Sequence, residues 1–251
     1  ISINANSIAE LERIDEILKH SKKKKSEFIG LRINPQIGKG KISATSVSDH
    51  ISKFGVPIGE SEKKIISCYQ KYEWLSSIHL HVGSQGDSIK RLIKGIEKVY
   101  QLAEKINTVG GNITHFDIGG GLPVQYHPDD PILEMGQYAE TIKANCPKLF
   151  SGPYKLITEF GRYVFANAGW AVSRVEYVRH MEGNQHIATI HLGADFLLRK
   201  CYNPESWYHQ ISVLGKDGTI KTGANTAKHT IGGPLCFAGD IVAKEIEVPN
   251  I

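Results

Sequence analysis

Short β-branched runs alternate with amphipathic helical stretches through the first two thirds of the chain, and this alternation constrains the fold more than any other feature. Residues 1–4 read as a strand. Ser7 and Glu10 form a capping box in which each side chain meets the other's backbone donor. Ile8, Leu11, Ile14, Ile17 and Leu18 then keep helical spacing to about residue 20. The same alternation continues with strands over 28–33, 77–82, 115–118 and 154–159, and helices over 60–72, 87–109, 132–146 and 162–168. In the longest helix Ile89, Leu92, Ile93, Ile96, Val99, Leu102 and Ile106 form one apolar stripe, closed by Gly110 and Gly111. Alternation of this kind predicts parallel βα units joined by right-handed crossovers.

Beyond Trp170 the rhythm changes. Residues 172–179, 186–192, 208–214, 219–221 and 240–248 are short and β-branched, with turns such as Lys216-Asp217-Gly218 between them, a pattern that predicts antiparallel sheet. The expected organisation is an α/β part over 1–169 and a C-terminal β domain over 170–251. A closed (β/α)8 barrel takes about 250 residues. Five βα units are three too few, and the abrupt start on a strand, without an initiator Met, leads us to expect the missing units upstream.

Composition narrows the function classes. The chain has 251 residues, 41% hydrophobic and 22% charged, the balance of an ordinary globular protein with material for a core. No apolar run approaches the ~18 residues of a membrane span, and no signal-peptide pattern opens the chain. Cys68, Cys146, Cys201 and Cys236 are widely spaced, with no C-x-x-C pair, which argues against a disulfide framework or zinc knuckle and for a cytoplasmic location. The net charge of +4 is mild. The lysine run at 22–25 lacks interleaved aromatics, so it reads as a solvated loop and not as a nucleic-acid surface. Anionic small molecules suit this charge balance.

Three clusters occupy strand ends at equal intervals: His81-Val82-Gly83-Ser84-Gln85, Asp117-Ile118-Gly119-Gly120-Gly121 and Glu159-Phe160-Gly161-Arg162. The same ends of successive parallel strands are where an α/β barrel assembles its active site. The glycines let backbone approach a phosphate, or simply make a tight turn. Glu159 is either an ion-pair member or a carboxylate facing a basic ring nitrogen. His81 either stacks on a cofactor ring or is structural. Ser84 is a phosphate donor or a turn cap, and Gly161 with Arg162 could offer amides to a phosphate at a helix start. His79 shares the face of His81, but with no third ligand at suitable spacing no metal site is expected. Cys236 sits in the loop Gly233-Pro234-Leu235-Cys236-Phe237-Ala238-Gly239-Asp240, either as an inert thiol or as a reactive one.

Taken together, the order and spacing of these runs resemble the pyridoxal-phosphate decarboxylases of the alanine-racemase-like barrel fold. The likeness is greatest to diaminopimelate decarboxylase and its amino-acid decarboxylase relatives. It extends nearly end to end and includes Leu31-Arg32-Ile33-Asn34-Pro35, Ser52-Lys53-Phe54-Gly55-Val56 and the four runs at 81–85, 117–121, 159–162 and 233–240. The resemblance implies a TIM-like (β/α)8 barrel followed by a β domain, pyridoxal 5'-phosphate as cofactor, and decarboxylation of an amino acid of the diaminopimelate, lysine or ornithine class. It also implies residue roles. His81 would stack on the cofactor ring, and Ser84, Gly120 and Gly121 would line the phosphate site with the backbone of Gly161 and Arg162. Glu159 would face the pyridine nitrogen. Arg162, Arg199 and Tyr202 would meet the substrate carboxylate. Cys236 would reach the neighbouring subunit's site and return a proton, making a homodimer the functional unit. The lysine that carries the cofactor and a late tyrosine would lie outside this chain, which alone would not turn over. Phe160 stands where the family has Pro, Phe237 where it has Glu, and Leu122-Pro123 follows the glycine triplet where Gly is usual. A same-fold racemase, a non-enzymatic binding relative and a sugar-phosphate aldolase-type barrel are the alternatives. Glu159 speaks against the first and the last.

Overall fold

The computed structural model describes residues 2–21, 28–38, 47–85, 88–130, 132–223 and 225–251. The lysine run at 22–25 lies outside them. The described chain forms two compact units, one of residues 1–124 and 132–168, the other of residues 125–131 and 169–251.

The first unit is built on a parallel sheet. Its strands are β1 (Ile3–Ala5), β2 (Ile29–Asn34), β3 (Val56–Pro57), β4 (Leu75–Leu80), β5 (His115–Asp117) and β6 (Lys155–Ile157). The order is β1-β2-β4-β5-β6, with β3 pairing β2 from off that path. Helices α1 (Ile8–His20), α2 (Ile58–Lys71), α3 (Ile89–Thr108), α4 (Met135–Asn145), α5 (Lys148–Ser151) and α6 (Gly161–Phe165) connect them. Five βα units were expected, and the two-residue β3 adds a sixth parallel strand. It is too short to show any periodicity.

Local chemistry sets the helix starts. Ser7 accepts the Glu10 amide at 3.3 Å, as expected of a cap. The Glu10 carboxylate, however, takes the Asn6 amide and not that of Ser7, so the box closes one residue early. Ser88 caps α3 by accepting the Arg91 amide at 3.3 Å. The apolar stripe of α3 is buried as its spacing requires: Leu92, Ile93, Ile96, Val99, Leu102 and Ile106 pack into one core with Leu31, Ile33, Ile78, Leu80 and Phe116 of the sheet.

The second unit carries a four-stranded sheet in the order β10-β9-β8-β7, formed by β7 (Val175–Met181), β8 (Gln185–Ile190), β9 (Thr226–Gly232) and β10 (Ile241–Pro249). Its helix α7 (Leu198–Tyr202) lies in the long connection from β8 to β9. The expected antiparallel sheet is therefore mixed, because β8 and β9 run parallel. A parallel pair needs a crossover of a dozen or more residues, and residues 191–225 supply it. Two expected strands in that crossover reduce to a single bridge between Leu214 and Ile220. Among the described residues no helix is long and apolar enough to cross a membrane.

Candidate active site

Strand register assembles the site. Arg32 on β2 pairs with His79 on β4, and His79 pairs with Asp117 on β5. Three polar side chains thus form one row across the sheet. His81, Gly119 to Gly121 and Glu159 follow at the ends of β4, β5 and β6. The loops are tied to each other by backbone: the Glu159 amide donates to the Gly119 carbonyl at 2.9 Å. Gln85 clamps Val124 from both sides, donating from Nε2 to its carbonyl at 2.6 Å and accepting its amide at 2.9 Å.

The glycine triplet is needed for this close approach. Gly119 and Gly121 have φ of +67° and +97°, conformations that side chains disfavour. A Cβ on Gly121 would lie 2.1 Å from the Gly83 carbonyl oxygen, and one on Gly120 would lie 2.6 Å from that of Glu159. The triplet lets three strand-end loops converge.

His81 is a neutral base. Its Nδ1 accepts the Gly120 amide at 3.0 Å, so that nitrogen carries no proton. Burial first, and then the nearby Arg32 guanidinium, lower its pKa to about 4. Its 4.0 Å approach to Glu159 Oε2 is therefore a contact of a neutral ring and not an ion pair. Glu159 itself is half-buried. His79 first, with Nε2 3.6 Å from Oε1, and then the Arg32 guanidinium hold its carboxyl below the usual range, against the opposing effect of burial. Asp117 moves the other way, because burial raises it, although Oδ1 accepts the Gly119 amide at 2.9 Å and Oδ2 the Asn4 amide group at 3.2 Å. Two neighbouring carboxyls with opposite shifts are a mark of functional sites.

The other expected site residues are distributed as follows. Ser84 lies beside His81 in the loop after β4. Gly161 opens α6, which is a single turn, and its amide donates to the Glu159 carbonyl at 2.9 Å. Neither that amide nor the Gly120 amide is directed outward to a phosphate. Arg162 is in the same turn. Arg199, Tyr202 and Cys236 belong to the second unit. Arg199 stacks on Trp207 at 5.2 Å, Tyr202 is exposed at the end of α7, and Cys236 is exposed. Asp240 holds the cysteine loop, with Oδ2 accepting the Leu235 amide at 2.7 Å and Oδ1 accepting the Ala194 amide at 2.5 Å. His79, Asp117 and Glu159 place ligand atoms within 4.8 Å of one another, a grouping that does not include His81 and that the spacing in sequence does not show. Arg32, His79 and Asp117 received no role from the sequence. Each is ordinary alone, and only strand register puts them beside Glu159.

The sequence profile of the family described as "Pyridoxal-dependent decarboxylase, pyridoxal binding domain" matches residues 2–166. The chain belongs to the pyridoxal-dependent decarboxylases. Among relatives in this family, diaminopimelate decarboxylase of Aquifex aeolicus is 30% identical over 260 aligned positions, covering all of this chain and 57% of the relative. That of Pseudomonas fluorescens is 29% identical over 222, covering 88% of this chain and 50% of the relative. The chain thus spans about half the length of the curated relatives it matches. The crystal structure of diaminopimelate decarboxylase from Helicobacter pylori complexed with L-lysine superimposes with a TM-score of 0.83 at 26% identity, over 99% of this chain and 59% of that one. The fold is that of the decarboxylase barrel with its β domain, of which this chain forms part.

These residues fit a pyridoxal group. An ionised carboxylate at Glu159 matches a protonated ring nitrogen. An uncharged imidazole at His81 offers a flat face without repelling that nitrogen. Among the described residues no ion pair joins Glu159 to a guanidinium, so its carboxylate is not already neutralised in that way.

Proposed function

We propose that this chain is the cofactor-binding part of a cytoplasmic, homodimeric, pyridoxal-phosphate-dependent amino-acid decarboxylase. The observation that carries the reading is the Glu159 carboxylate 4.0 Å from the His81 ring, whose Nδ1 accepts the Gly120 amide, at the ends of parallel strands. When bound, the cofactor supplies a positively charged ring that draws electrons from the breaking Cα–carboxylate bond. Glu159 keeps the ring nitrogen protonated, because an ionised carboxylate favours the charged form of its partner. His81 packs on the ring and excludes water from it. Ser84 and the backbone of Gly121 and Arg162 receive the phosphate. The Gly120 and Gly161 amides are occupied within the loops, and Gly120 serves by having no side chain, since a Cβ there would meet the Glu159 carbonyl. Arg162, Arg199 and Tyr202 are assigned to the substrate carboxylate. Cys236 Sγ–H returns a proton to the substrate carbon in the partner's site after carbon dioxide leaves.

The substrate is an amino acid of the diaminopimelate, lysine or ornithine class. Phe237 occupies the position after Cys236 where the resemblance expects a carboxylate for a distal ammonium, so that end is read by other groups. The test is Glu159→Gln in the full-length protein. A hydrogen bond to a charged group is worth about 1.5–3 kcal/mol. Carbon dioxide release should therefore fall about 10- to 150-fold while the fold is kept. Undiminished release, or failure of the native protein to bind pyridoxal phosphate at micromolar concentration, would sink the proposal.

A further inference from the structure

His79 is a buried imidazole that the chemistry above leaves unused. Its side chain is 5% exposed, and neither ring nitrogen has a hydrogen-bond partner. A buried polar group without partners is costly, and an aliphatic residue at this strand position would avoid that cost. The side chain is held in the row between Arg32 and Asp117, with Nε2 3.6 Å from Glu159 Oε1, slightly beyond hydrogen-bond length.

The charged and titratable groups facing it are Arg32, His81, Asp117 and Glu159. Three of them have other engagements. The His81 nitrogen nearest Glu159 is an acceptor, already given to the Gly120 amide. Arg32 lies over the Phe54 ring at 4.5 Å. Both Asp117 oxygens accept from Gly119 and Asn4. Of the two imidazoles beside the Glu159 carboxylate, His79 is the nearer, 3.6 Å against 4.0 Å for His81, and its ring nitrogens are not engaged elsewhere.

We propose that His79 is the positioning residue of Glu159. Its Nε2–H is the donor to Oε1, which leaves Oε2 to the pyridine nitrogen. Terminal torsions of glutamate are broad, so an unsupported carboxylate would turn freely. A buried imidazole fixes its plane and favours its ionised form. The proposal rests on the cofactor-binding reading above and deepens it.

The experiment measures the dissociation constant of pyridoxal 5'-phosphate in the full-length protein by absorbance titration, between about pH 5 and pH 8. His79→Leu should weaken binding about tenfold, the loss of one hydrogen bond to a charged group. It should also raise the pH at which binding fails on the acid side, since Glu159 loses a donor to its ionised form. His79→Gln, which keeps an N–H donor, should recover most of both effects. In a Glu159→Gln background, His79→Leu should change the constant by less than about twofold, because coupled residues are not additive. Native-like binding by His79→Leu, or an undiminished effect in that background, overturns the proposal. So does tight zinc binding that His79→Leu abolishes while cofactor affinity stays intact, which would make the row a cation site. Imidazole nitrogen chemical shifts of the cofactor-free native protein give a readout independent of variant folding. The Nε2–H signal of His79 should move on Glu159→Gln, and a signal that stays in place also overturns the proposal. If the native protein binds no cofactor, the decarboxylase reading fails, while these shifts still test the contact between His79 and Glu159.

Discussion

His81 carries a cost that its surroundings make visible in acid. A free histidine takes up a proton at its ordinary value of 6.5, whereas here burial and Arg32 delay protonation to about 4. Between these two values the unfolded chain binds a proton that the folded chain does not. The contribution of His81 is complete above the unfolded value and is lost as pH falls toward the folded one. The slope for one proton is about 1.4 kcal/mol per pH unit. Glu159, also lowered, adds loss in the same direction further into acid, while Asp117, raised, opposes it. Urea midpoints of the native protein should fall steadily from pH 6.5 to pH 4, and His81→Gln should flatten that decline. A native midpoint that stays constant over this range would contradict the neutral assignment. His81 and Glu159 could be picked out from the sequence because each ends a β-rich run. The row behind them could not, since the adjacency of Arg32, His79 and Asp117 exists only once three strands far apart in the chain align.

At the scale of elements, Gly110 and Gly121 separate two costs that are usually merged. Both have φ of +97°. A Cβ at Gly110 would meet nothing within 4 Å, whereas one at Gly121 would lie 2.1 Å from the Gly83 carbonyl oxygen. Gly110→Ala should therefore cost only the backbone strain, about 1 kcal/mol. Gly121→Ala should add a steric clash with backbone that has nowhere to move, for a total above ~3 kcal/mol. Equal midpoints for the two variants in chemical denaturation would show that the strand-end loops are not packed as described. The elements that escaped sequence reading share a related cause. β9 reads Thr226-Ala227-Lys228-His229-Thr230-Ile231-Gly232, with Ala227, His229 and Ile231 buried. Its inward face carries Ala and His, which weakens the β-branched signal. Residues 208–214 carry a β-like composition but form only the bridge at Leu214. Strand propensity describes fit to a pleated surface, and without a pairing partner it makes no strand. The helices and the central parallel strands were legible because amphipathic periodicity is a local property, recorded within one segment.

At the scale of the whole molecule, the proposed division of labour makes a prediction about subunits. In that proposal Glu159 belongs to the cofactor pocket of one subunit, and Cys236 is assigned to the pocket of its partner. If a site is assembled from both, variants defective in either residue should complement each other. Glu159→Gln and Cys236→Ala homodimers would each have two damaged sites. When the full-length proteins are mixed in equal amounts and allowed to exchange subunits, half the dimers should be mixed. In each mixed dimer one site combines the intact Glu159 of one subunit with the intact Cys236 of the other, while the second site carries both defects. A two-fold dimer thus predicts recovery of about a quarter of native activity. The recovery should grow with time as subunits exchange and vanish after cross-linking of the separate homodimers. Activity no higher than the sum of the two parents would place Cys236 in the pocket of its own subunit, or remove it from the reaction. The same arithmetic excludes a trivial explanation, because contamination by native enzyme would be present before mixing and would not depend on exchange.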